Sequence, residues 1–351
     1  MTASDTARVA PVRYHRAMTR TRTRVVLARR PDDVATPDHF SIETDELGPL
    51  AHGEVHVEVD YISVDAGTRT MLVGDGFHRQ VGLGETVLAG GVGRVIESAA
   101  DGWEVGQAVR GPLGAQTIST VPVTYLERID VSSVPISAYL GALGGSTGVT
   151  AWIGMRCVAR PKPGDVFVVS AAAGAVGSIA GQIAKLDGAR VIGIAGGPEK
   201  TAFLTSTLGF DHAIDYRNED VGERLDELAP DGVNGFFDNV GGPILDEVLD
   251  RLALRAKVTI CGAVSQYNHM DAVVGPSSYL KLAERQSSME GFAFFHFPEQ
   301  IPDAEAELKR WLADGTIVMA EHVLDGIERY PEALEFMFSG GNIGKLLVKA
   351  T

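Results

Sequence analysis

Residues 166–177 read Val-Phe-Val-Val-Ser-Ala-Ala-Ala-Gly-Ala-Val-Gly, an apolar run that leads into a turn of small residues. A short apolar run bounded by turn signals is typical of a strand buried on both faces of a parallel sheet. In the turn, Gly174 lets the backbone approach a pyrophosphate, and Gly177 lets the next helix pack on the sheet. Ala172 stands where the first glycine of this motif usually lies. The strand, turn and helix together predict a dinucleotide-binding unit with phosphates at the helix N-terminus.

On the C-terminal side of this unit, apolar runs and amphipathic segments continue to alternate. A helix predicted at residues 175–186 is followed by a short strand at 190–195, and the alternation extends to about residue 315. Such alternation indicates a doubly wound parallel sheet. We therefore predict an α/β fold with a Rossmann domain at residues 138–315, which opens with a glycine-rich helical stretch at 137–158.

The N-terminal half has a different pattern. Residues 54–59 alternate between polar and apolar, as a half-buried antiparallel strand does. Other runs of β-branched residues are broken by Gly and Pro, and a helix and a strand are predicted near the C-terminus, at 330–338 and 345–349. We predict a second domain, a small partly open β-barrel, from residues 24–137 and 316–351, preceded by a basic tail at residues 1–23.

The end of the second predicted strand distinguishes between the two nicotinamide dinucleotides. An NAD site usually places Asp or Glu there, about 20 residues past the glycines, to bind the ribose 2′-hydroxyl. Residues 195–200 read Ala-Gly-Gly-Pro-Glu-Lys, so this carboxylate is missing, and Glu199 comes too late to replace it. Gly197 leaves room, and Lys200 supplies a point charge for a 2′-phosphate, unless it is a solvated lysine at a helix start. The pattern predicts NADPH/NADP+ as the cofactor.

Composition excludes several classes of function. The 351 residues carry a formal net charge of −15, which argues against nucleic acid as a partner. The two cysteines, Cys157 and Cys261, are too few for a four-cysteine zinc site or a disulfide framework. No apolar run in the sequence reaches the roughly 18 residues that a membrane span needs. We expect a cytoplasmic protein with neither a membrane nor a nucleic-acid partner.

The sequence also argues against a catalytic metal. Zinc alcohol dehydrogenases have a similar two-part layout and hold zinc with three protein ligands. The N-terminal half here has no cysteine, and residues 88–93, where such enzymes place Gly-His-Glu, read Leu-Ala-Gly-Gly-Val-Gly. Without a Lewis acid, oxidation of an alcohol loses its main stabilisation of the alkoxide. Reduction of a conjugated alkene places charge on an enolate oxygen, for which one or two hydrogen-bond donors suffice.

Seven segments in a fixed order carry a resemblance to a known family. The chain resembles the medium-chain dehydrogenase/reductase superfamily, and within it the zinc-free prostaglandin reductases (leukotriene B4 12-hydroxydehydrogenases) and the bacterial curcumin reductases. The resemblance runs from about Arg24 to the C-terminus. It implies a GroES-like barrel domain beside the Rossmann domain, a homodimer, and NADPH-dependent reduction of the C=C bond of enones and enals. The segments are residues 171–177, 196–200, 214–216, 237–242, 261–268, 290–292 and 341–345.

The resemblance also implies roles for individual residues. It assigns the 2′-phosphate to Lys200 and Tyr216 and places Tyr267 near the substrate as a candidate proton donor, with packing as the alternative. The other residues that it places along the cofactor are Thr150, Gly174, Ala175, Val176, Gly177, Asn239, Cys261, Gly262, Ala263, Val264, Ser265, Gln266, Phe292, Ala293, Phe294 and Asn342.

One departure from the family concerns the substrate cleft. The family often reads Val-Asp-Pro-Tyr-Met-Arg where residues 64–69 read Val-Asp-Ala-Gly-Thr-Arg. Gly67 thus replaces a bulky tyrosine and predicts a wider cleft, while Arg69 matches and is either a substrate ligand or a structural arginine that ties loops together. Three other functions stay open, namely an NADPH quinone reductase, an NADP-dependent allylic or secondary alcohol dehydrogenase, and an NADPH-binding regulator without catalysis.

Overall fold

The computed structural model describes residues 20–73, 79–269 and 272–351. Most of the predicted basic tail, residues 1–19, lies outside these ranges. The first strand begins at Thr21, so residues 21–23 of the predicted tail already belong to a sheet.

The N-terminal half is built mainly from antiparallel strands. Its central strand is paired on both sides and carries buried valines, as the alternation of residues 54–59 predicts. The elements of this half are β1 (Thr21–Leu27), β2 (Phe40–Glu46), β3 (Glu54–Ser63), α1 (Thr68–Val73), β4 (Gly91–Ser98), β5 (Ala108–Gly111), β6 (Ile118–Pro122) and β7 (Glu127–Arg128).

The middle of the chain alternates between strands and helices. Its elements are α2 (Thr150–Ile153), β8 (Val166–Ser170), α3 (Ala175–Leu186), β9 (Arg190–Ala195), α4 (Pro198–Ser206), β10 (His212–Asp215), α5 (Val221–Leu228), β11 (Val233–Asp238), α6 (Gly242–Asp250), β12 (Leu252–Ile260), α7 (Leu280–Glu284), β13 (Ser288–Gly291) and α8 (Ile301–Ala313).

These six strands form one parallel sheet in the order β10-β9-β8-β11-β12-β13. The order reverses between β8 and β11, and a crevice at such a reversal is where dinucleotides bind in this architecture. Every residue of β8 is buried, and Phe167, Phe236 and Phe237 are at most 1% exposed. The predicted α/β fold, with a doubly wound sheet beside a β-rich domain, is confirmed.

The C-terminal segment returns to the N-terminal half through β14 (Glu321–Asp325), α9 (Tyr330–Phe338) and β15 (Lys345–Lys349). Strand β15 pairs with β14 on one side and with β3 on the other, which completes the seven-stranded sheet. Just before β15, Gly344 forms an isolated bridge with Gly174 of the nucleotide-binding turn. The two halves are therefore joined at the edge of the crevice.

The glycine-rich stretch predicted as helical at 137–158 is helical but irregular. Two π-helical turns, Gly145–Val149 and Gly154–Ala159, flank the single turn of α2. A methyl group at Gly148 would lie 1.8 Å from the Ala142 carbonyl oxygen, so the chain passes itself too closely there for a side chain. Such turns widen a helix locally and are common at functional sites.

No helix within residues 20–73, 79–269 and 272–351 combines the length and the apolar composition that crossing a bilayer requires.

Candidate functional site

The turn after β8 is shaped to hold a pyrophosphate. Its Ala171 residue has a left-handed φ of 45°, and the Ala171 carbonyl accepts a 2.9 Å hydrogen bond from Gly174 N–H. A methyl group at Gly177 would lie 2.5 Å from the same carbonyl oxygen, so α3 reaches this turn only because residue 177 is glycine. Helix α3 has neither a side-chain cap nor an acid in its first turn. Its N-terminus, with the predicted Ala175 and Val176, is thus available to an anion.

A second group of residues that suits an anion lies where β9 ends, and we call it the phosphate subsite. A methyl group at Gly196 would lie 2.9 Å from the Tyr216 ring and 2.8 Å from Arg217 Nε, so both side chains pack closely on this turn. Gly197 has a φ of 95° and open space within 4 Å of its Cβ direction. Lys200, in the first turn of α4, completes the group. Small residues with two cations and a tyrosine suit a 2′-phosphate.

Arg217 is a member of this group that the sequence patterns did not reveal. It follows β10, and β10 lies directly beside β9 in the parallel sheet, so Arg217 and Lys200 reach the same place from neighbouring strand ends. Burial and the nearby Arg217 charge lower the pKa of Lys200 below its ordinary value. The signal that would have found Arg217 is the pairing of these two strands, because carboxyl ends of parallel neighbours lie together.

Asp215, a carboxylate at the edge of this subsite, already accepts hydrogen bonds from the protein. Asp215 accepts hydrogen bonds from Gly197 N–H at 2.7 Å, Asn218 Nδ2 at 2.8 Å and Arg217 N–H at 3.1 Å. The bond from Gly197 is the largest cause that lowers the Asp215 pKa. Asp215 therefore fixes the shape of the turn.

The crevice between β8 and β11 is braced by buried polar groups. Asp238 Oδ1 accepts hydrogen bonds from Ser170 Oγ at 2.7 Å and from Val240 N–H at 3.0 Å. Burial raises the Asp238 pKa. Asn239 donates from Nδ2 to the Ser170 carbonyl at 2.8 Å, so its amide group ties the two strand ends together. Asn239 directly follows β11 at the crevice, and one N–H of its side-chain amide is committed to the protein.

The loop predicted to follow the ribose and nicotinamide, residues 261–267, folds back on itself around Tyr267. Ala263 N–H donates to Tyr267 Oη at 3.3 Å, and a methyl group at Gly262 would lie 2.9 Å from that oxygen. Ser265 Oγ anchors the loop by donating to the Val240 carbonyl at 2.6 Å. Burial raises the pKa of Tyr267 and raises that of Cys261 to about 12. Both groups are therefore protonated at neutral pH.

The aromatic segment after β13 packs against the π-helical turns. A methyl group at Gly154 would lie 2.5 Å from the Phe292 ring, and one at Gly145 would lie 2.8 Å from the Phe294 ring. Thr150 Oγ1 donates to the Gly145 carbonyl at 2.7 Å. Three of the predicted nicotinamide residues, Thr150, Phe292 and Phe294, thus pack on the π-helical turns, and Ala293 lies between the two phenylalanines in the chain.

Arg69 connects the N-terminal half to the Tyr267 loop. It is 1% exposed, and it donates from Nε to Asn268 Oδ1 at 3.2 Å and from Nη2 to the Asp33 carbonyl at 2.5 Å. These contacts favour the structural interpretation of Arg69. Gly67 lies two residues earlier, at the start of α1, where its carbonyl accepts a hydrogen bond from Thr70 N–H. Gly67, which is predicted to line the substrate cleft, therefore lies in the same segment as Arg69, and Arg69 contacts the Tyr267 loop.

Asn342 lies in the segment that returns across the crevice. Its Nδ2 donates to the Gly344 carbonyl at 2.9 Å, and Gly344 N–H donates to the Ala173 carbonyl at 2.8 Å. Asn342 therefore shapes the turn that closes over the pyrophosphate site.

Two family models match parts of this chain. A family model described as the N-terminal domain of oxidoreductase matches residues 23–129, and one described as zinc-binding dehydrogenase matches residues 175–310. Within the described ranges, no group of three or more His, Cys, Asp or Glu is placed to hold a metal ion.

Relatives and a solved structure cover nearly the whole chain. The NADPH-dependent curcumin reductase of Escherichia coli is 32% identical over 332 residues, 93% of this chain and 96% of that protein. Prostaglandin reductase 1 of Bos taurus is 36% identical over 321 residues, 90% of this chain and 95% of that protein. The crystal structure of CurA in complex with NADPH from Vibrio vulnificus is 35% identical, covers 94% of this chain and 99% of its own, and has a TM-score of 0.84.

The phosphate subsite leads to a prediction about Arg217. Replacing it in an Arg217→Gln variant should weaken NADPH binding about tenfold, because one charge-assisted contact with a phosphate is lost. NADH, which lacks the 2′-phosphate, should bind as before. Fluorescence titration of both nucleotides measures this, with Arg224→Gln as a matched control on the surface salt bridges of α5. Equal weakening of both nucleotides would place Arg217 outside the phosphate subsite.

Proposed function

This chain belongs to the zinc-independent medium-chain dehydrogenase/reductase family and is an NADPH-dependent oxidoreductase, and we propose that it reduces the C=C bond of α,β-unsaturated ketones and aldehydes. The relatives named for curcumin and prostaglandin reduction support this proposal. The observation that carries it is the position of Tyr267, a partly buried phenol in the loop after β12 whose oxygen accepts a hydrogen bond from Ala263 N–H.

The residues of the crevice fit the cofactor. The uncapped start of α3 and the turn at Gly174 would hold the pyrophosphate, and Lys200, Tyr216 and Arg217 would hold the 2′-phosphate. When bound, NADPH supplies the hydride that the β-carbon of the substrate accepts.

The chain itself must stabilise the charge that develops on the substrate carbonyl oxygen. Tyr267 Oη already accepts a hydrogen bond from Ala263 N–H, which leaves the phenol O–H as a donor. Because burial raises the Tyr267 pKa, the hydroxyl keeps its proton over a wider pH range than an exposed tyrosine. A single well-placed donor is sufficient for a delocalised enolate. We propose that Tyr267 binds this oxygen, and that Arg69 positions the loop through Asn268.

A panel of acceptors tests the proposed reaction. Purified protein should oxidise NADPH rapidly with enals and enones, and mass spectrometry should show saturated carbonyl products. NADH should be a poor substitute, since it offers no 2′-phosphate to Lys200 and Arg217. Turnover of simple quinones alone, or of secondary alcohols with NADP+ alone, would assign the chain to one of those activities instead. Tight NADPH binding without turnover of any acceptor would indicate a regulator.

Tyr267→Phe tests the donor role. We expect kcat with an enone to fall about 10- to 100-fold, with little change in NADPH affinity, because the hydroxyl acts on the developing charge. Wild-type kcat should persist into alkaline pH and fall only above about pH 10, since the group is active when protonated and its pKa is raised. Tyr279→Phe, at an exposed tyrosine, is the control. An unchanged kcat in Tyr267→Phe would show that Tyr267 contributes packing only and does not act as a donor.

We further propose a homodimer formed through β13. This strand is the last in its sheet, and all four of its residues are exposed. Three exposed apolar side chains lie in this region: Met289 on β13 itself, Leu254 on the neighbouring strand β12, and Leu280 on α7, the helix before β13. An open edge with apolar side chains is a template for pairing with a second strand.

Sedimentation velocity measures the assembly. The wild-type protein should sediment at twice the 37.3 kDa chain mass, and Met289→Lys should shift it towards monomer because a charge is placed on the paired edge. Leu83→Lys, at an exposed leucine of the other half, should leave the mass unchanged. A wild-type protein that is monomeric at micromolar concentration would refute the dimer.

A further inference from the structure

Two consecutive carbonyl groups at the end of α9 hold the two cations of the phosphate subsite. Lys200 Nζ donates to the Gly340 carbonyl at 2.9 Å, and Arg217 Nη2 donates to the Ser339 carbonyl at 3.1 Å. Lys200 and Arg217 belong to the nucleotide-binding half, whereas α9 packs with the β-rich half. Ser339 is the C-cap of α9 and Gly340 follows it, and basic side chains commonly donate hydrogen bonds to carbonyl groups at a helix C-terminus.

The two carbonyl groups do not neutralise the positive charges of Lys200 and Arg217. Glu199 is the carboxylate that raises the pKa of Lys200, yet burial and the Arg217 charge outweigh it and lower that pKa. Asp215 is committed to backbone and amide donors. An ammonium has three N–H donors and a guanidinium five, so both can keep their carbonyl partners and bind a phosphate as well.

We propose that the turn Ser339–Gly340 is a third component of the 2′-phosphate subsite and helps to select NADPH over NADH. The turn positions Lys200 and Arg217 before the cofactor arrives, and a bound 2′-phosphate fixes the turn in return. The same segment continues to Gly344, whose N–H donates to Ala173 in the pyrophosphate turn. Residues 339–344 thus connect both anion subsites to the half that carries Gly67 and Arg69.

Gly340 offers a way to disturb the turn without replacing either cation. It has a φ of 68°, and a methyl group there would lie 3.2 Å from Arg217 Nη2 and 3.9 Å from Lys200 Nζ. Gly340→Ala therefore crowds the cations and strains the backbone. Gly209 has a φ of 70° with nothing within 4 Å of its Cβ direction, so Gly209→Ala reproduces the strain without the crowding.

Nucleotide binding in the absence of any acceptor tests the proposal, so its outcome is independent of the reaction. Gly340→Ala should weaken 2′,5′-ADP and NADPH about tenfold, in line with the loss of one hydrogen bond to a charged group. Binding of 5′-AMP and NADH should not change, and Gly209→Ala should bind all four like wild type. Unchanged binding in Gly340→Ala, or equal loss for nucleotides with and without the 2′-phosphate, would overturn the proposal.

Hydrogen exchange on the wild-type protein supplies a test that needs no variant. The amides of residues 339–344 should exchange more slowly with 2′,5′-ADP bound than with 5′-AMP bound at equal saturation, because the 2′-phosphate fixes the turn. The amides of α5 should not distinguish the two nucleotides. The same protection of residues 339–344 by both nucleotides would show that the turn does not sense the 2′-phosphate.

Discussion

The close contact between α3 and the turn after β8 is the constraint on which the site depends. Because residue 177 has no side chain, the helix start reaches the carbonyl of Ala171 and its N–H groups border the crevice. In the same turn, the Ala173 carbonyl accepts a hydrogen bond from Gly344 N–H. This bond holds the returning C-terminal segment over the crevice. A larger residue at position 177 would move the helix, and the anion site and the junction of the two halves would move with it.

Much of the architecture follows from local patterns in the sequence. Apolar runs and turn residues predict several elements with the bounds that the structure has, because these segments pack on one shared core and are bounded by turn residues. Strands β2 and β13 gave weaker signals, since β13 is wholly exposed and β2 has few apolar residues. The elements with the predicted bounds are Val166–Ser170, Ala175–Leu186, Arg190–Ala195, Tyr330–Phe338 and Lys345–Lys349.

The candidate site is less accessible to sequence because its parts meet through tertiary contacts. Lys200 can be predicted from its place just after β9. Arg217 can be placed beside it only when β10 is known to pair with β9. The burial of Arg69 and its bond to Asn268 join residues about 200 positions apart, and no local pattern encodes such a pair. The backward fold of Tyr267 onto Ala263 likewise depends on how the loop packs on β11.

The path of the C-terminal segment has a consequence for how the protein forms during synthesis. Strand β15 is flanked by β14 and β3, and the residues before it contact the turn that begins at Ala171. On the ribosome, the parallel sheet can assemble around β8 long before residues 339–349 have been translated. At that stage the nascent chain lacks the C-terminal residues that border the nucleotide crevice. The edge of β3 that pairs with β15 in the finished fold is also open. A cofactor that binds the completed crevice more tightly than the open one would stabilise the finished fold.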